Sequence, residues 1–409
     1  MKLAIVSDLH IGYERFEADA CAQAREALDA AKAQADAIII PGDIFDRRAP
    51  KPEVIAQAIN IFRDLANWEW SAKVAKHSGK GTYFTEVPVL AIPGTHERTA
   101  EGKENPLMLL ALAGLLVDVS ESTAIISKDD EKVAVFGLGG ISEDRVRAVL
   151  NELAPKPVNE LFSVFMFHQS IYELLPFDDN FLRYEDLPKG FDLYVDGHIH
   201  NRVEGTVHGK PFLIPGSTVL TQLKDGEQER KGFILFDTKS GSHKFVPINS
   251  RPFVAETLEF KNAGREEILK ACEEAADRII GASHTKPIIR LMIKGSMGHG
   301  VNISDLGLRG LSARYVQRAF LDIDYSRLES PELSKSIEEL REGKSSGLSV
   351  KELGMSMLAS KLKELKFDDT ISMGALFDAL DSDTAKKEKV IEAALRLIEE
   401  SERKHEKSG

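Results

Sequence analysis

The stretch that decides the fold is Lys2-Leu3-Ala4-Ile5-Val6-Ser7-Asp8-Leu9-His10. Leu3 to Val6 is a short aliphatic run of the kind that forms a strand covered on both faces. The run delivers Asp8 and His10 where it ends. Residues two apart in an extended chain point the same way, so a carboxylate and an imidazole can converge on one point. Taken alone, the pair supports a metal-ligand reading and, equally, an Asp capping the next turn beside an incidental surface His.

Working outward, the same pattern returns. Glu14 to Ala35 is Ala-rich, charged and free of Pro and Gly, which predicts a helix. Asp36 to Ile40 predicts a second buried strand, ending at Pro41-Gly42-Asp43. Pro52, tolerated in a first turn, opens another helix through Phe62 and Leu65. Trp68 to Phe84 reads as an irregular excursion. Val87 to Ile92 predicts a third strand, ending at Pro93-Gly94-Thr95-His96-Glu97, and Asn105 to Leu116 a short apolar helix. Further strands are expected at Val133–Phe136, Phe162–Phe167, Asp192–Val195, Phe212–Ile214, Gly232–Phe236 and Lys244–Ile248. Strand–helix alternation followed by closely spaced strands indicates an α/β sandwich with a more antiparallel second half.

This domain is expected to end near Arg251-Pro252. Residues 253–330 then predict a small α+β domain: a helix over Arg265–Ile279, a strand over Ile288–Ile293, a Gly-punctuated loop over Lys294–Gly310 and a strand-like piece over Val316–Ile323. Residues 331–349 are polar, with Gly and Ser near their end, and read as a linker. Residues 350–405 predict two helices with apolar stripes, one through Val350, Leu353, Met357 and Leu362, the other through Ile391, Leu395 and Ile398. So short a pair cannot build its own core, and must pack on its own domain or on a partner.

The chain has 409 residues, long for one core, so more than one domain is expected. Its apolar stretches are short and interrupted, which excludes a membrane span, and Lys2 leads straight into a strand without a signal-peptide pattern. The two cysteines, Cys21 and Cys272, lie far apart and argue for a reducing, cytoplasmic compartment rather than a disulfide framework. The net charge of −12 speaks weakly against a polyanion binder. Residues 255–330, however, carry eleven acidic and eleven basic side chains, so this segment is neutral and the rest carries the deficit. Composition leaves nucleic acid open as a partner.

Five strand ends carry polar residues of one kind: Asp8-x-His10, Gly42-Asp43, Gly94-Thr95-His96-Glu97, His168 and Gly197-His198-Ile199-His200. Five of the eleven histidines are among them. Ligands of open α/β sheets collect at the carboxyl ends of strands, so positions spread over nearly 200 residues can meet. Carboxylates and imidazoles without thiolates suit Mn, Fe or Zn better than Ca or a structural zinc site. A bridging carboxylate can hold two such ions for in-line phosphoryl displacement. Singly, His168 reads as readily as a core histidine and Asp43 as a turn residue; together, all at strand ends, they read as one site.

As a set, these motifs resemble the signature of the calcineurin-like metallophosphoesterases. Further pieces resemble the SbcD and MRE-type double-strand-break repair nucleases: Gly42-Asp43-Ile44-Phe45-Asp46, Phe167-His168-Gln169-Ser170, Leu187-Pro188, Gly190-Phe191-Asp192, Pro215-Gly216-Ser217, Lys231-Gly232-Phe233 and Arg251-Pro252-Phe253. The resemblance covers residues 1–250. It implies a four-layer α/β/β/α sandwich at 1–252, a DNA-binding cap domain at 253–330 and a helical element at 350–405 that docks on the coiled coil of an ABC-type ATPase. It also implies a homodimer and two Mn ions. One ion would take Asp8, His10, Asp43 and His200; the other would share Asp43 and take His168 and His198. His96 would be the non-ligand histidine that orients or protonates the leaving oxygen.

Two positions depart from the family pattern. Thr95 stands where relatives usually have the Asn whose amide completes the second metal, and a Thr hydroxyl is a poorer ligand. Asp46 stands where some relatives have a second catalytic His, and is expected to orient His96 or a water. The function these features imply is Mn-dependent DNA exo- and endonuclease activity in a break-repair complex. A small-molecule phosphodiesterase of the same superfamily is the alternative, and a structural repair subunit with weakened catalysis a third. The roughly 150 residues beyond the phosphoesterase core separate the first from the second.

Overall fold

A computed structural model of the chain describes residues 1–78, 81–98, 105–224, 227–298, 301, 303–329 and 355. The linker and docking helices expected at 331–349 and 350–405 lie outside the described residues, Met355 apart. The chain divides into two compact units. The first comprises Met1–Thr257, Glu273–Met292 and Gly310–Ile323; the second comprises Leu258–Cys272, Ile293–Arg309 and Asp324–Gly409, of which residues 324–329 and 355 are described.

Strand β1 (Lys2–Ile5) leads through helix α1 (Glu17–Lys32) to β2 (Ala37–Pro41) and α2 (Pro52–Ala66). A hairpin of β3 (Lys73–Ser78) and β4 (Gly81–Thr85) precedes β5 (Val89–Ile92), α3 (Pro106–Leu112) and β6 (Val117–Asp118). Then follow β7 (Ser122–Lys128), β8 (Glu131–Leu138), α4 (Val146–Leu153), β9 (Phe162–Phe167) and β10 (Leu193–Asp196). The hairpins β11 (Val203–Val207) with β12 (Lys210–Ile214) and β13 (Gly232–Asp237) with β14 (His243–Pro247) complete this part. Beyond it lie β15 (Phe253–Ala263), α5 (Arg265–Gly281), β16 (Ile288–Met297), α6 (Leu308–Tyr315) and β17 (Phe320–Glu329), whose strands form a sheet in the order β15-β16-β17.

In the first unit one sheet runs β14-β13-β1-β2-β5-β6 and the other β11-β12-β10-β9-β8-β7-β3-β4. The opening strand shows how they stack. Ala4 and Val6 face a cluster shared with Ala24 and Leu28 of α1 and Phe62 and Leu65 of α2. Leu3 and Ile5, one residue out of phase, pack instead on Val135, Val164 and Val195 of the second sheet. The far face of that sheet, through Phe165, Tyr194 and Phe212, buries Val146 and Leu150 of α4. The layers are therefore helix, sheet, sheet, helix, as the alternation of an opening run buried on both faces requires. Each large aliphatic side chain wholly removed from water in these layers contributes about 1.5–3 kcal/mol.

The helices follow their sequence signals. Ala20, Ala24, Ala27, Leu28 and Ala31 form the buried stripe of α1. In α2, Pro52 occupies the first turn and Val54, Ala58, Ile61, Phe62 and Leu65 are buried. Asn105 caps α3 by accepting from the Met108 N–H at 2.9 Å, and the helix ends at Leu112, short of the expected Leu116.

The expectation of an irregular excursion over Trp68–Phe84 is wrong. Val74 to Ser78 pair antiparallel with Gly81 to Thr85, and β3 pairs with β7. Tyr83 and Phe84 stay exposed, so the edge lacks the half-buried alternation by which strands are recognised. The second half is more antiparallel than the first, as expected, through β7–β8, β11–β12 and β13–β14. Its centre, β8, β9, β10 and β12, is parallel throughout, with antiparallel strands at the margins. Runs such as Phe162-Ser163-Val164-Phe165-Met166-Phe167 are buried on both faces, which is the parallel pattern. Strand β17 begins at Phe320 rather than Val316, because Val316 is an exposed residue following α6. The Lys294 end of the expected loop is instead the continuation of β16.

Candidate metal centre

The site stands at the carboxyl ends of five strands. Asp8 and His10 follow β1, Asp43 follows β2 and Thr95 with His96 follows β5; His168 follows β9, and His198 with His200 follows β10. Asp8, His10, Asp43 and His168 are buried, His198 and His200 half-buried, and the His96 side chain is 43% exposed. Leaving the ladders demands unusual backbone: Asp8, His10, Asp43 and His198 have φ of 52°, 45°, 51° and 68°. Asp and His are among the residues enriched in this region. Gly42, with φ of 93°, turns the chain where a Cβ would come within 2.4 Å of His168 Nδ1. Gly94 answers a different need, since its Cβ would meet Asp43 Oδ1 at 2.2 Å.

Two groups of donor atoms form, each with its members within 4.8 Å of one another: Asp8, His10 and His200, and Asp8, Asp43 and His168. Asp8 belongs to both, whereas Asp43 is the carboxylate that the family resemblance makes the bridge. A third group joins His10 to Asp46 and His96. In the first group His10 Nε2 faces His200 Nε2 at 3.1 Å, and His200 Nε2 lies 3.9 Å from Asp8 Oδ1. In the second, His168 Nδ1 donates to the Pro41 carbonyl at 2.7 Å, which leaves Nε2 to face Asp43 Oδ2 at 3.2 Å. His198 is in neither group. Its Nε2 contacts Ser170 Oγ at 2.9 Å, its Nδ1 contacts Thr95 Oγ1 at 3.3 Å, and its ring meets His168 edge-on.

The buried charges of the site act strongly on one another. Burial would push the Asp43 carboxyl up, but the His168 imidazole holds it well below the usual carboxylate range. Burial likewise opposes a proton on His168, yet the Asp43 and Asp8 charges raise it to about 10. His10 is raised against its burial by Asp46 and Asp43. Burial, and then the charge of His168, lowers His198 to about 3. Burial followed by the charge of His10 brings His200 well below its ordinary value. Both are thus held neutral, the form in which imidazole binds metal.

The residues fit divalent ions by a direct observation. Asp43 Oδ2 and His168 Nε2 are both buried, face one another and have no hydrogen-bond partner among the described residues. Buried polar atoms without partners are rare and costly, and an ion between hard oxygen and imidazole donors satisfies both.

Around this centre the chain places a supporting frame. The His96 N–H donates to Asp43 Oδ1 at 2.8 Å and the His198 N–H to Asp8 Oδ1 at 3.1 Å. His96 Nδ1 donates to the Asp46 carbonyl at 2.6 Å, so its Nε2 is the free nitrogen. Asp46 also brings Oδ1 within 3.3 Å of His10 Nδ1. Sequence reasoning quoted Glu97 without a role. Its buried carboxylate accepts from Gly94 N–H at 2.9 Å and from Phe45 N–H at 3.0 Å, tying the β5 exit to the β2 exit. Burial first, and the Asp43 charge second, raise it to about 7. Ser170, quoted only as part of a motif, proves to be the partner of His198. The signal for both was adjacency to a ligand-type residue.

Comparison with known proteins follows the same lines. The family model described as calcineurin-like phosphoesterase matches residues 1–202. The DNA double-strand break repair protein Mre11 of Saccharolobus solfataricus is 26% identical over 304 residues, covering 71% of this chain and 74% of that protein. The double-strand break repair protein MRE11 of Coprinopsis cinerea is 26% identical over 327 residues, 65% of this chain and 44% of its own length. The human MRE11 is 24% identical over 362 residues, 73% of this chain and 51% of its own length. The match thus spans about half the length of these two eukaryotic relatives. Among the described residues no helix is long and apolar enough to cross a membrane.

Proposed function

We propose, since the chain belongs to the calcineurin-like metallophosphoesterases and is related to the Mre11 repair proteins, that it is a metal-dependent nuclease that hydrolyses DNA phosphodiesters at double-strand breaks. The observation that carries this reading is the convergence of Asp8, His10, Asp43, His168 and His200 on two donor groups, with His96 exposed beside them.

Asp8, His10, Asp43 and His200 would hold one Mn ion and Asp43, His168 and His198 the other, with Fe or Zn as substitutes the donor set also admits. Bound there, such ions supply Lewis acidity toward a phosphodiester and neutralise charge developing on it. The protein's own contribution is positioning. Asp43 and Asp8 each accept from a backbone N–H of another strand-exit loop, which holds those loops around the donor groups. His96, with Nδ1 committed to the Asp46 carbonyl, offers Nε2 to orient or protonate the leaving oxygen. Asp46 acts through His96 by that carbonyl.

Residues 253–330 are proposed to shape the DNA groove, and the segment 350–405 to dock on a coiled-coil ABC-type ATPase. A homodimer working on DNA in the cytoplasm, at the nucleoid, completes the proposal. The test is Mn-dependent release of nucleotides from linear duplex DNA. It is expected in the wild-type chain and lost in His96→Ala with Mn binding retained. Absence of release from a Mn-loaded wild-type chain would count against the reading, and capture of an ABC-type ATPase by residues 331–409 would support the docking.

A further inference from the structure

His200 has support that the site so far described does not use. Its Nδ1 hydrogen-bonds to Thr221 Oγ1, and Thr221 Oγ1 stands 3.2 Å from Glu227 Oε1. Glu227 Oε2 in turn accepts from Lys231 Nζ at 2.6 Å. Lys231 Nζ closes the circuit by donating to the His200 carbonyl at 3.2 Å and to Ser217 Oγ at 3.1 Å. Glu227 and Lys231 are only 6% and 7% exposed. Charged side chains so buried are retained where their partners are well placed. The Glu227 carboxylate itself stays 3.9 Å from His200 Nδ1, so the hydroxyl intervenes between them.

The direction of the chain follows from what each group can do. A carboxylate paired with an ammonium only accepts. The single Thr221 O–H must therefore donate to Glu227, which leaves the Thr221 lone pairs facing His200. They accept from Nδ1–H. The free lone pair of His200 then lies on Nε2, the nitrogen that faces His10 Nε2 at 3.1 Å and Asp8 Oδ1 at 3.9 Å.

We infer that Thr221, Glu227 and Lys231 form a positioning relay that fixes the Nδ1–H tautomer of His200 and so presents Nε2 to the metal. The inference rests on the metal-site reading above and deepens it, because it identifies residues that set metal affinity without touching the metal. Partners of this kind commonly change metal affinity by about 10- to 100-fold when removed. The plainer alternative is that the Glu227–Lys231 pair only braces the loop after β12. In that case the hydroxyl of Thr221 would be dispensable as long as the pair remained.

Thr221→Val keeps shape and the ion pair but cannot relay; Thr221→Ser can. Two measurements on the full chain decide. The first is the His200 tautomer in the metal-free protein, read by nitrogen–proton correlation NMR of selectively labelled histidine. The second is Mn(II) affinity by electron paramagnetic resonance titration. The wild-type chain is expected to show Nδ1–H and Thr221→Val a shift toward Nε2–H. Mn affinity is expected to fall about tenfold or more in Thr221→Val and to return in Thr221→Ser. A wild-type tautomer and unchanged affinity in Thr221→Val overturn the relay. A wild-type chain that takes up no Mn overturns the metal-site reading instead, and the tautomer shift still decides whether the relay exists.

Discussion

The backbone N–H of His96 donates to the Oδ1 of Asp43 at 2.8 Å, so one carboxylate holds the β5 exit loop while its other oxygen faces His168. The loop and the metal centre are mechanically one piece. In the metal-free protein Asp43→Ala should speed amide hydrogen exchange across residues 94–98. Unchanged protection there would show that Glu97 alone is enough to hold the loop.

Gly94 lies against the same carboxylate. A Cβ there would come within 2.2 Å of Asp43 Oδ1 and 2.5 Å of the Asp43 backbone nitrogen. The backbone cannot yield cheaply, so Gly94→Ala should destabilise the protein by about 1–3 kcal/mol, as overpacking does. It should also displace Asp43 and weaken Mn binding. Thermal unfolding and calorimetric Mn titration check the two effects, and a variant with wild-type values in both would contradict the geometry.

Thr95 Oγ1 reaches His198 Nδ1 at 3.3 Å. An Asn at this position adds a carbonyl oxygen, a better neutral donor than a hydroxyl. Thr95→Asn is expected to raise Mn affinity severalfold at the weaker of the two proposed sites, seen as tighter uptake of a second equivalent. Identical binding curves would mean that the second ion draws nothing from this loop.

Tyr194 is wholly buried and donates its O–H to the Pro188 carbonyl at 2.6 Å. Burial pushes the phenol up to about 12. An acid raised above its unfolded value of about 10 stabilises the fold fully below that pH and loses the contribution as pH climbs through the folded value. Tyr194→Phe should cost about 1 kcal/mol near neutrality, the usual worth of one such bond. The rise from about 10 to about 12 is worth about 2.7 kcal/mol, more than that bond. The two denaturant midpoints should therefore meet above about pH 10 and then cross as the buried phenol ionises; parallel pH profiles would refute the assignment.

Much of the site was legible in the sequence because its parts are local. Asp8, Asp43, His168 and His200 each follow a largely apolar run, and a strand reading fixes where such a residue stands. The four layers were reachable only through the family resemblance; the structure supplies their physical basis in the split of Leu3 and Ile5 from Ala4 and Val6. The edge hairpin β3–β4 was missed because Tyr83 and Phe84 remain in solvent and the alternation there carries no burial signal. Parallel pairing at the centre of the second sheet was missed because spacing records how far apart strands are in sequence, not which neighbours they choose. Glu97, Thr221 and Glu227 escaped a role for another reason. Each acts by a bond to a residue on another loop, and no one-dimensional pattern records that.

The left-handed backbone at His10 and His198, with φ of 45° and 68°, has a consequence for laboratory evolution. Non-glycine residues in this region cost about 1 kcal/mol or more each, and Asn or Gly relieves part of it. Selection of random variants for heat resistance alone should therefore favour Asn or Gly at positions 10 and 198. Survivors of such a screen would withstand higher temperatures as folded but metal-poor proteins.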